Sequence, residues 1–324
     1  MSPSQRTPGG RAPATQAIVF EEPRQLSLRT VNLTVPGAAD IRVRTRFSGI
    51  STGTERLLYE GRMPHFPGLA YPLVPGYETV GEVVWAGVDA PFEPGTTVFV
   101  PGAACYSEVQ ALFGGAAAEL VAPAARAVPL PAELAQADAV LLSLAATAHH
   151  ILEQAPKPDL IVGHGVLGRL LARLLLARQH RDFKVWEAKP ERRTGAADYA
   201  VVEPTADDRR GLRQIVDVSG DAGILNALLP KLAPRGEIVL GGFYAEQLRF
   251  AFPPAFMCEA CIRVAAEFTP ADLAAVIAAV ETGALSLDGL LTHQSQIADA
   301  AAAYEQAFAD PTCLKMALAW EETS

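Results

Sequence analysis

The sequence predicts an α/β protein in which a β-rich domain is joined to a second domain with a doubly wound parallel sheet. Between Ala17 and about Val128, short runs rich in valine, isoleucine and aromatic residues are separated by proline and glycine turns, a pattern typical of strands. After Pro129, apolar strands alternate with helical patterns, which indicates a parallel sheet covered by helices on both faces. The length of 324 residues also exceeds what one core usually holds, so two domains are expected.

The β-rich part follows a tail over residues 1–16 that is rich in proline, glycine and serine, and we predict this tail to be disordered. The stretch IRVRTRF at 41–47 alternates apolar with charged or polar residues, as a strand with one face in water should. The runs AIVF, VGEVVWAG and TTVFVPG predict further strands. The stretch SGISTGTERLL at 48–58 then brings four hydroxyls and one carboxylate to the predicted end of a strand, and is a candidate reactive segment.

The second half has the order expected of an α/β unit. An alanine- and leucine-rich helix is predicted over 131–155 and is ended by the prolines of APKP. The segment DLIVGHGVLGRLLARLLLARQHRDFKVWEAK then gives strand, glycine turn, helix and strand, and RQIVDVSG, PRGEIVLGGFY and KMALAW predict further strands. We therefore predict a β-rich domain over 17–150, an α/β domain over 151–264, and a segment over 265–324 that returns to the first domain.

Charge and cysteine content exclude several classes of function. The formal charge is 27 − 36 = −9, and an acidic surface without a basic stripe is a poor match to nucleic acid. The four cysteines are scattered, so we expect a reducing, cytoplasmic location and no disulfide framework. No apolar run reaches the ~18 residues of a membrane span, so stable membrane insertion is not expected.

A glycine motif after the first strand of the α/β domain predicts a dinucleotide site. The glycines of GHGVLG permit a tight turn, close approach of a pyrophosphate and close packing of the helix on the strand. Backbone N–H groups and the helix dipole then favour the diphosphate. The residues that we expect to bind the cofactor here are Gly163, Gly165, Val166, Leu167 and Gly168. The alternative is a glycine-rich turn without a ligand, and in either case we expect His164 to point at solvent or at the phosphates.

Glu187, at the end of the next predicted strand, favours NAD over NADP. A carboxylate at this place accepts hydrogen bonds from the ribose hydroxyls and repels a 2′-phosphate. This preference is weakened by the positively charged side chains that follow soon after, Lys189, Arg192 and Arg193.

The order of these elements resembles the medium-chain dehydrogenase/reductase superfamily, in which a GroES-like β-rich catalytic domain is followed by a Rossmann domain and a short return. Within that superfamily, the strings SGISTGTERLLYEGRMP, YPLVPGYETVGEV, ALFGGAAAELV, LAATAHH, DVSGD, GEIVLGGFY and FAFPPAFM look like the branch of bacteriochlorophyll biosynthesis. The resemblance implies NAD-dependent oxidation of the hydroxyethyl group on ring A of a chlorin to an acetyl group, giving bacteriochlorophyllide a. It also implies further cofactor contacts by Thr147, Ser219, Gly242 and Phe243.

The residues at the metal positions of this superfamily differ from those of its zinc enzymes. Zinc members carry a cysteine after the glycine and isoleucine that end a strand, and a His-Glu pair after a later glycine. Here the first position is Ser51 or Thr52, and the second is the pair Tyr77-Glu78. The stretch LLSLAATAHH, where a third metal ligand would be expected, contains no cysteine. Hydroxyls are poor zinc ligands, and Cys258-x-x-Cys261 has no second pair. We therefore predict no metal.

Without a metal, the hydroxyl proton of the alcohol needs another acceptor. A relay of Ser51, Thr52 or Tyr77 would pass it towards solvent, and Glu78 would orient Tyr77 or accept the proton itself. The alternative is that PGYETVG forms a structural turn whose carboxylate is already paired.

We assign the substrate to the loop that follows the candidate reactive segment and to the end of the long helix. The expected contacts are Tyr59, Met63, His65, Phe66 and His149. The imidazole of His65 would suit the magnesium of a chlorin, or its loop merely packs on the core. His149 or His150 would lie beside the nicotinamide, or they would be ordinary helix-packing residues.

Two other functions remain open at this point. One is a zinc-independent quinone or enone reductase of the same superfamily, against which Glu187 counts because such enzymes usually use NADPH. The other is a non-catalytic NAD-binding protein. In addition, GEIVLGGFY and the strand after it would suit an intersubunit sheet, which would allow a homodimer, although the sequence does not fix the oligomeric state.

Overall fold

The computed structural model describes residues 13–196 and 198–320, whose strands lie in three sheets. In chain order the strands are β1 (Ala14–Glu22), β2 (Gln25–Asn32), β3 (Asp40–Ile50), β4 (Leu73–Val74), β5 (Thr79–Ala86), β6 (Thr97–Val100), β7 (Gln110–Ala111), β8 (Glu119–Pro123), β9 (Val128–Pro129), β10 (Leu160–Val162), β11 (Lys184–Trp186), β12 (Ala200–Val202), β13 (Leu212–Asp217), β14 (Leu232–Leu240), β15 (Cys261–Val264), β16 (His293–Gln296) and β17 (Met316–Ala319). The α-helices are α1 (Thr54–Tyr59), α2 (Leu142–Gln154), α3 (Val166–Ala177), α4 (Leu225–Leu228), α5 (Phe252–Met257), α6 (Pro270–Glu281) and α7 (Ala300–Ala309).

The β-rich half is built on β3, which pairs with β5, β8 and β17 in an antiparallel sense. The predicted alternation is confirmed, because Ile41, Val43 and Thr45 are buried whereas Arg44 is exposed. The sheet continues in the order β16-β17-β3-β5-β6-β9, and a smaller sheet runs β2-β1-β4-β7. Strands near the C-terminus thus complete a sheet formed mainly by the first 130 residues, although the exact domain boundaries at 150 and 264 stay predictions.

The second half confirms the predicted doubly wound parallel sheet. Its six strands run in the order β12-β11-β10-β13-β14-β15, and each neighbouring pair is parallel. Alternate residues face opposite layers: Ile161 packs with α2, α3 and α6, whereas Leu160 and Val162 pack with α4. Strand order reverses between β10 and β13, and dinucleotides bind in the crevice outside such a reversal.

The structure corrects the predicted extent of the N-terminal tail. Residues 14–16 belong to β1, where they pair with β2, and residues 1–12 of the predicted tail lie outside the described residues. Among residues 13–196 and 198–320, none of the helices combines the length and apolar character needed to cross a bilayer.

Candidate active site

The candidate reactive segment lies at the turn between β3 and α1. Gly49, near the end of β3, lies so close to Glu78 that a Cβ at this position would be 2.2 Å from Glu78 Oε2. A side chain at this position would therefore displace the Glu78 carboxylate and crowd Lys315, whose Cε would lie 3.0 Å from that Cβ. The chain then turns through Ser51, which is buried, and Thr52, which is half-buried.

Two hydroxyls of the predicted relay are in contact. Tyr77 Oη donates a hydrogen bond of 2.7 Å to Ser51 Oγ, which also accepts from the backbone N–H of Thr54. The Tyr77 ring packs edge-on against Phe113, with centroids 5.1 Å apart. Burial, reinforced by the nearby Glu78, raises the pKa of Tyr77 well above its ordinary value, so the phenol stays protonated.

Glu78 has a partner that the sequence did not indicate. Lys315, the residue before β17, donates to Glu78 Oε2, and both side chains are 1% exposed. Burial raises the pKa of Glu78, while Lys315 opposes that rise. The expected role of Glu78 in orienting Tyr77 is not supported, because this carboxylate pairs with Lys315 instead. Its other oxygen, Oε1, is buried without a hydrogen-bond partner among the described residues.

A second buried carboxylate, Glu55, was not assigned a role from the sequence. It lies in the first turn of α1 and is fully buried. Its oxygens accept hydrogen bonds from the backbone N–H of Ser51 and, at 2.9 Å, from Tyr304 Oη of α7. Burial raises the pKa of Glu55 to about 7, with Glu78 adding to the rise. Its position within the hydroxyl-rich stretch was the available signal, but its burial depends on α7, which no local pattern reveals.

The predicted glycine turn lies at the carboxyl end of β10, beside the strand-order reversal. Gly163 has φ +103°, which favours glycine, and a Cβ at Gly168 would lie 1.9 Å from the carbonyl oxygen of Gly163. Around Gly165, by contrast, a Cβ would meet nothing within 4 Å. The turn therefore packs α3 tightly while leaving space at its N-terminus, as a bound diphosphate needs.

Glu187 lies beside this turn, and its carboxylate can accept further hydrogen bonds. Its oxygens accept from the backbone N–H of His164 at 3.0 Å and of Lys189 at 2.8 Å. A carboxylate has about four lone-pair sites, so about two are left for further donors. The guanidinium groups downstream are engaged elsewhere, since Arg193 donates to the carbonyl oxygens of residues 187 and 188 and Arg192 donates to that of Pro311.

The structure corrects the predicted orientation of His164. Its side chain is buried and points at neither solvent nor the phosphate turn. Nδ1 lies 2.6 Å from the carbonyl oxygen of Arg192 and Nε2 lies 2.7 Å from Tyr199 Oη. Because a carbonyl only accepts, Nδ1 carries the proton and Nε2 accepts from the tyrosine. Burial lowers the pKa of His164 to about 4, so a neutral imidazole holds the loop after β11 in place.

The remaining expected cofactor residues lie around the ends of β13 and β14. Ser219 donates its backbone N–H to the buried Asp217, and the N–H of Gly242 bonds to the carbonyl oxygen of Asp217. Helix α2 connects to the hydroxyl pair, because Ser143 Oγ donates to the carbonyl oxygen of Tyr77 at 3.0 Å. One turn further along α2, Thr147 is half-buried and donates to the carbonyl oxygen of Ser143.

Two of the predicted ligand-binding residues, which lie in different halves of the sequence, are in contact. Phe66, on the loop after α1, contacts Phe243, which follows β14, with ring centroids 6.4 Å apart. Phe243 is 42% exposed. His65 is exposed on the same loop, whereas Met63 is buried in the core beneath it. The loop therefore presents the Phe66 ring to the α/β half of the molecule and leaves the His65 imidazole exposed.

Tyr59 does not join this group, which corrects its predicted role. Its ring packs against Phe20 and Phe308, with both centroid distances 5.5 Å, and its hydroxyl donates to the carbonyl oxygen of Arg24. The aromatic core of the β-rich half holds Tyr59, so it has no support as a substrate contact.

His149 also departs from the expectation. It lies two residues after Thr147, which is about 200° around a helix, so the two side chains leave α2 in nearly opposite directions. Its Nδ1 lies 2.8 Å from Asp272 Oδ1, and His150 Nδ1 lies 3.0 Å from the other oxygen of the same carboxylate. Both histidines therefore join α2 to α6, and the helix-packing alternative is the one that the contacts support.

The donors around the hydroxyl pair do not suit zinc. The side chains at the expected metal positions are Ser51, Thr52 and Tyr77 hydroxyls, while zinc needs thiolate, imidazole or carboxylate ligands. Glu78 is already paired with Lys315. Over residues 13–196 and 198–320, no group of three or more His, Cys, Asp or Glu side chains is placed to hold a metal ion.

The chain is similar to known proteins along nearly its whole length. The family model of the alcohol dehydrogenase GroES-like domain matches residues 37–132. Over 317 residues the chain is 51% identical to the 2-desacetyl-2-hydroxyethyl bacteriochlorophyllide A dehydrogenase of Cereibacter sphaeroides, which covers 96% of this chain and 99% of that protein. It is also 51% identical, over 311 residues, to the protein of the same name from Rhodobacter capsulatus, with 95% and 99% covered.

The fold is likewise similar to that of solved structures. An alcohol dehydrogenase from Escherichia coli CFT073, complexed with NADH, superposes with a TM-score of 0.81 over 95% of this chain and 99% of that one. Its sequence is 21% identical, so this likeness concerns the fold alone.

Proposed function

This chain belongs to the medium-chain dehydrogenase/reductase superfamily and, within it, to the family of the bacteriochlorophyllide dehydrogenases, and from this premise we propose that it oxidises the 1-hydroxyethyl group of a bacteriochlorophyllide to an acetyl group. The observation that carries the proposal is 51% identity to two dehydrogenases of this name over almost the whole chain. The hydrogen bond from Ser143 of α2 to the backbone of Tyr77 supports it, because α2 packs on the α/β sheet at whose carboxyl edge the cofactor is proposed to bind.

The reaction separates a hydride from a proton, and the chain offers groups for each. NAD, when bound at the glycine turn, supplies the acceptor for the hydride of the carbinol carbon. Ser51 Oγ accepts a hydrogen bond from Tyr77 and a longer one, of 3.3 Å, from the backbone N–H of Thr54. The carbinol O–H would replace the Thr54 N–H as a donor to Ser51 Oγ. As the hydride leaves, the carbinol proton would move to Ser51 Oγ while the serine's own hydroxyl proton passes through the Thr52 hydroxyl to water, as in general acid–base catalysis; Tyr77 stays the donor that holds Ser51. The products are the acetyl ketone, NADH and one proton.

The proposed cofactor is NAD. About two acceptor sites of Glu187 suit the two hydroxyls of the adenosine ribose, and the carboxylate repels a 2′-phosphate. Arg192 and Arg193, which would otherwise attract that phosphate, donate to backbone carbonyl oxygens. Both features favour NAD over NADP.

The proposed mechanism does not use zinc. The hydroxyls at the superfamily's metal positions are poor zinc ligands, and a carbinol attached to a conjugated macrocycle reacts more easily than a simple alcohol. As hydride leaves, the developing positive charge at the carbon spreads into the ring. The substrate would lie against Phe66 and Phe243, whose rings suit a flat apolar macrocycle, and His65, exposed on the same loop, would offer its imidazole to the magnesium.

An absorbance assay tests this function directly. Purified protein is mixed with the 3-hydroxyethyl bacteriochlorophyllide and either NAD or NADP, with and without a metal chelator. We expect the long-wavelength band to move to the red as NADH forms, because an acetyl carbonyl extends the conjugation. NAD should be preferred and the chelator should have no effect. Loss of the shift on chelation would contradict the zinc-free mechanism, and NAD binding without any shift would contradict the substrate assignment.

We also propose that the protein forms a homodimer through β15. This strand ends the six-stranded sheet and pairs only with β14 among the described strands, and edge strands invite pairing with another chain. Beside it, large apolar side chains are exposed: Phe252 67%, Phe256 66%, Met257 79% and Val264 71%. A two-fold axis at this edge would pair β15 with its copy and cover these side chains.

Light scattering on a size-exclusion column tests the dimer. Val264→Lys should convert the dimer to a monomer, because it places a charge in the proposed interface. Val88→Lys is the matched control, since Val88 is 92% exposed on the other half of the molecule. A monomeric wild-type protein, or a dimeric Val264→Lys variant, would contradict the proposal.

A cytoplasmic location is proposed as well, supported by four free cysteines.

A further inference from the structure

Glu55 is a carboxylate without access to water in the wall of the candidate active site. Its residue is 0% exposed. It accepts two hydrogen bonds, one from the Ser51 backbone N–H and one from Tyr304 Oη. Ser51 in turn accepts the hydrogen bond of Tyr77 through its Oγ. A single residue, Ser51, therefore connects the buried acid to the hydroxyl pair.

We propose that Glu55 is a positioning residue, whose ionised carboxylate holds the turn after β3 so that Ser51 and Tyr77 stay aligned with the carbinol. The inference rests on the proposed function for its catalytic consequence, but the alignment itself is a property of the folded chain. Glu55 does not reach the substrate, since it is fully buried.

The charge state of Glu55 decides how many bonds it accepts. Both of its partners are donors, an N–H and a phenol O–H. An ionised carboxylate accepts with both oxygens, whereas a protonated one turns one oxygen into a donor. A protonated Glu55 would therefore donate to Tyr304 Oη, which can also accept, and would bind the Ser51 N–H through a neutral oxygen. Hydrogen bonds to a charged group are roughly twice as strong as neutral ones, so protonation weakens the hold on the Ser51 N–H. Ionisation of Glu55 thus fixes the turn, and protonation loosens it.

The groups that face Glu55 place this ionisation within reach of neutral pH. Burial and the carboxylate of Glu78, which precedes β5, raise its pKa, while Lys315 before β17 and Tyr304 on α7 oppose the rise. The net result is a pKa of about 7 for Glu55. Below that value the turn is held by neutral hydrogen bonds and above it by stronger, charge-assisted ones, so activity should rise with pH through this range.

The proposal is tested with Glu55→Gln, and Glu60→Gln serves as the matched control. Glutamine has the size of glutamate but no charge, so at every pH it would bind the Ser51 N–H and the Tyr304 hydroxyl only through weaker, neutral hydrogen bonds. Glu60 lies just after α1, where it pairs with Arg56 and Arg62 on the surface. Hydrogen-exchange mass spectrometry at pH 8 follows peptides covering residues 48–58. We expect faster exchange in this segment for Glu55→Gln and wild-type rates for Glu60→Gln.

The pH profile of kcat/KM provides the second measurement. In wild type, kcat/KM should rise with pH near pH 7. In Glu55→Gln this rise should be absent, and kcat/KM at pH 8 should be lower than in wild type on the order of 10- to 100-fold, the size of effect expected when catalytic groups are misplaced. Tyr304→Phe keeps the carboxylate but removes a donor that favours its ionised form, so in this variant the rise of kcat/KM should move to higher pH. This variant also keeps the test open if Glu55→Gln does not fold.

The two measurements separate this inference from the proposed function. Unchanged hydrogen exchange in Glu55→Gln would overturn the positioning role of Glu55 whatever the substrate is. A rise of kcat/KM near pH 7 in Glu55→Gln, as in wild type, would overturn it as well. Faster exchange in Glu55→Gln without any turnover of the chlorin by wild type would support the anchoring of the turn and contradict the proposed reaction.

Discussion

At the scale of single residues, burial determines what the hydroxyl pair can do. Tyr77 stays protonated because burial and the neighbouring Glu78 raise its pKa, so it donates to Ser51 rather than acting as a phenolate. Lys315 offsets the charge of Glu78 inside the protein, and an unpaired buried charge would otherwise be costly. The chemistry proposed here therefore depends on a tyrosine that stays a donor, and the buried carboxylates of Glu78 and Glu55 contribute by raising its pKa.

Removal of the Tyr77 hydroxyl tests the relay. Tyr77→Phe keeps the ring that packs on Phe113 but leaves Ser51 Oγ with the Thr54 N–H in place of its side-chain donor. We expect kcat/KM to fall about 100-fold, the lower range for loss of a positioned acid–base group, with little change in NAD binding. The measurement is the NAD-dependent red shift of the chlorin. Tyr106→Phe, which loses a hydroxyl bonded to the carbonyl oxygen of Gly114, is the control and should keep its activity.

At the scale of elements, helix α2 is the connection between the two halves of the site. One face carries Ser143, bonded to the backbone of Tyr77. Its C-terminal half carries the two histidines that share Asp272. Asp272 also forms a capping box with Thr269 at the start of α6, an arrangement that satisfies two otherwise unpaired N–H groups. Thus one carboxylate both caps the start of α6 and joins α2 to α6.

Loss of this carboxylate should lower stability. Asp272→Asn weakens the capping box and the bonds to both histidines, so we expect the free energy of unfolding to fall by about 1–3 kcal/mol. Asp299→Asn is the matched control, because Asp299 precedes α7 without making a side-chain capping bond, and it should change stability little. Urea unfolding followed by circular dichroism measures both. Equal losses in the two variants would show that the shared carboxylate has no special role.

At the scale of the whole molecule, the fold was more predictable than the site because it is encoded in local periodicity. The alternation of IRVRTRF and the strand–turn–helix order around GHGVLG both identify elements within a few residues. The partners that define the site do not lie nearby: Lys315 is 237 residues from Glu78, and Tyr304 is 249 residues from Glu55. A glycine motif also predicts a backbone turn but says nothing about the side chain of His164, which turns inward to Tyr199.

Two buried groups give the molecule opposite dependences of stability on pH. The pKa of Glu55 is raised from 4.5 to about 7, so between these values the folded state binds more protons than the unfolded one and stability falls as pH rises. The pKa of His164 is lowered from 6.5 to about 4, so between these values the unfolded state binds more protons and stability rises with pH. In wild type the two contributions largely offset each other between about pH 4.5 and 6.5.

Glu55→Gln should reveal this compensation. Without the Glu55 contribution, the free energy of unfolding should rise with pH up to about 6.5. Between pH 4.5 and 7, the free energy of unfolding of the variant should increase relative to that of wild type by up to roughly 3 kcal/mol, since one pKa unit corresponds to about 1.4 kcal/mol. Chemical unfolding of both proteins at a series of pH values measures the difference, and Glu60→Gln should follow wild type. A constant difference between Glu55→Gln and wild type would mean that Glu55 does not titrate in this range, because only a proton bound unequally by the two states can make stability depend on pH.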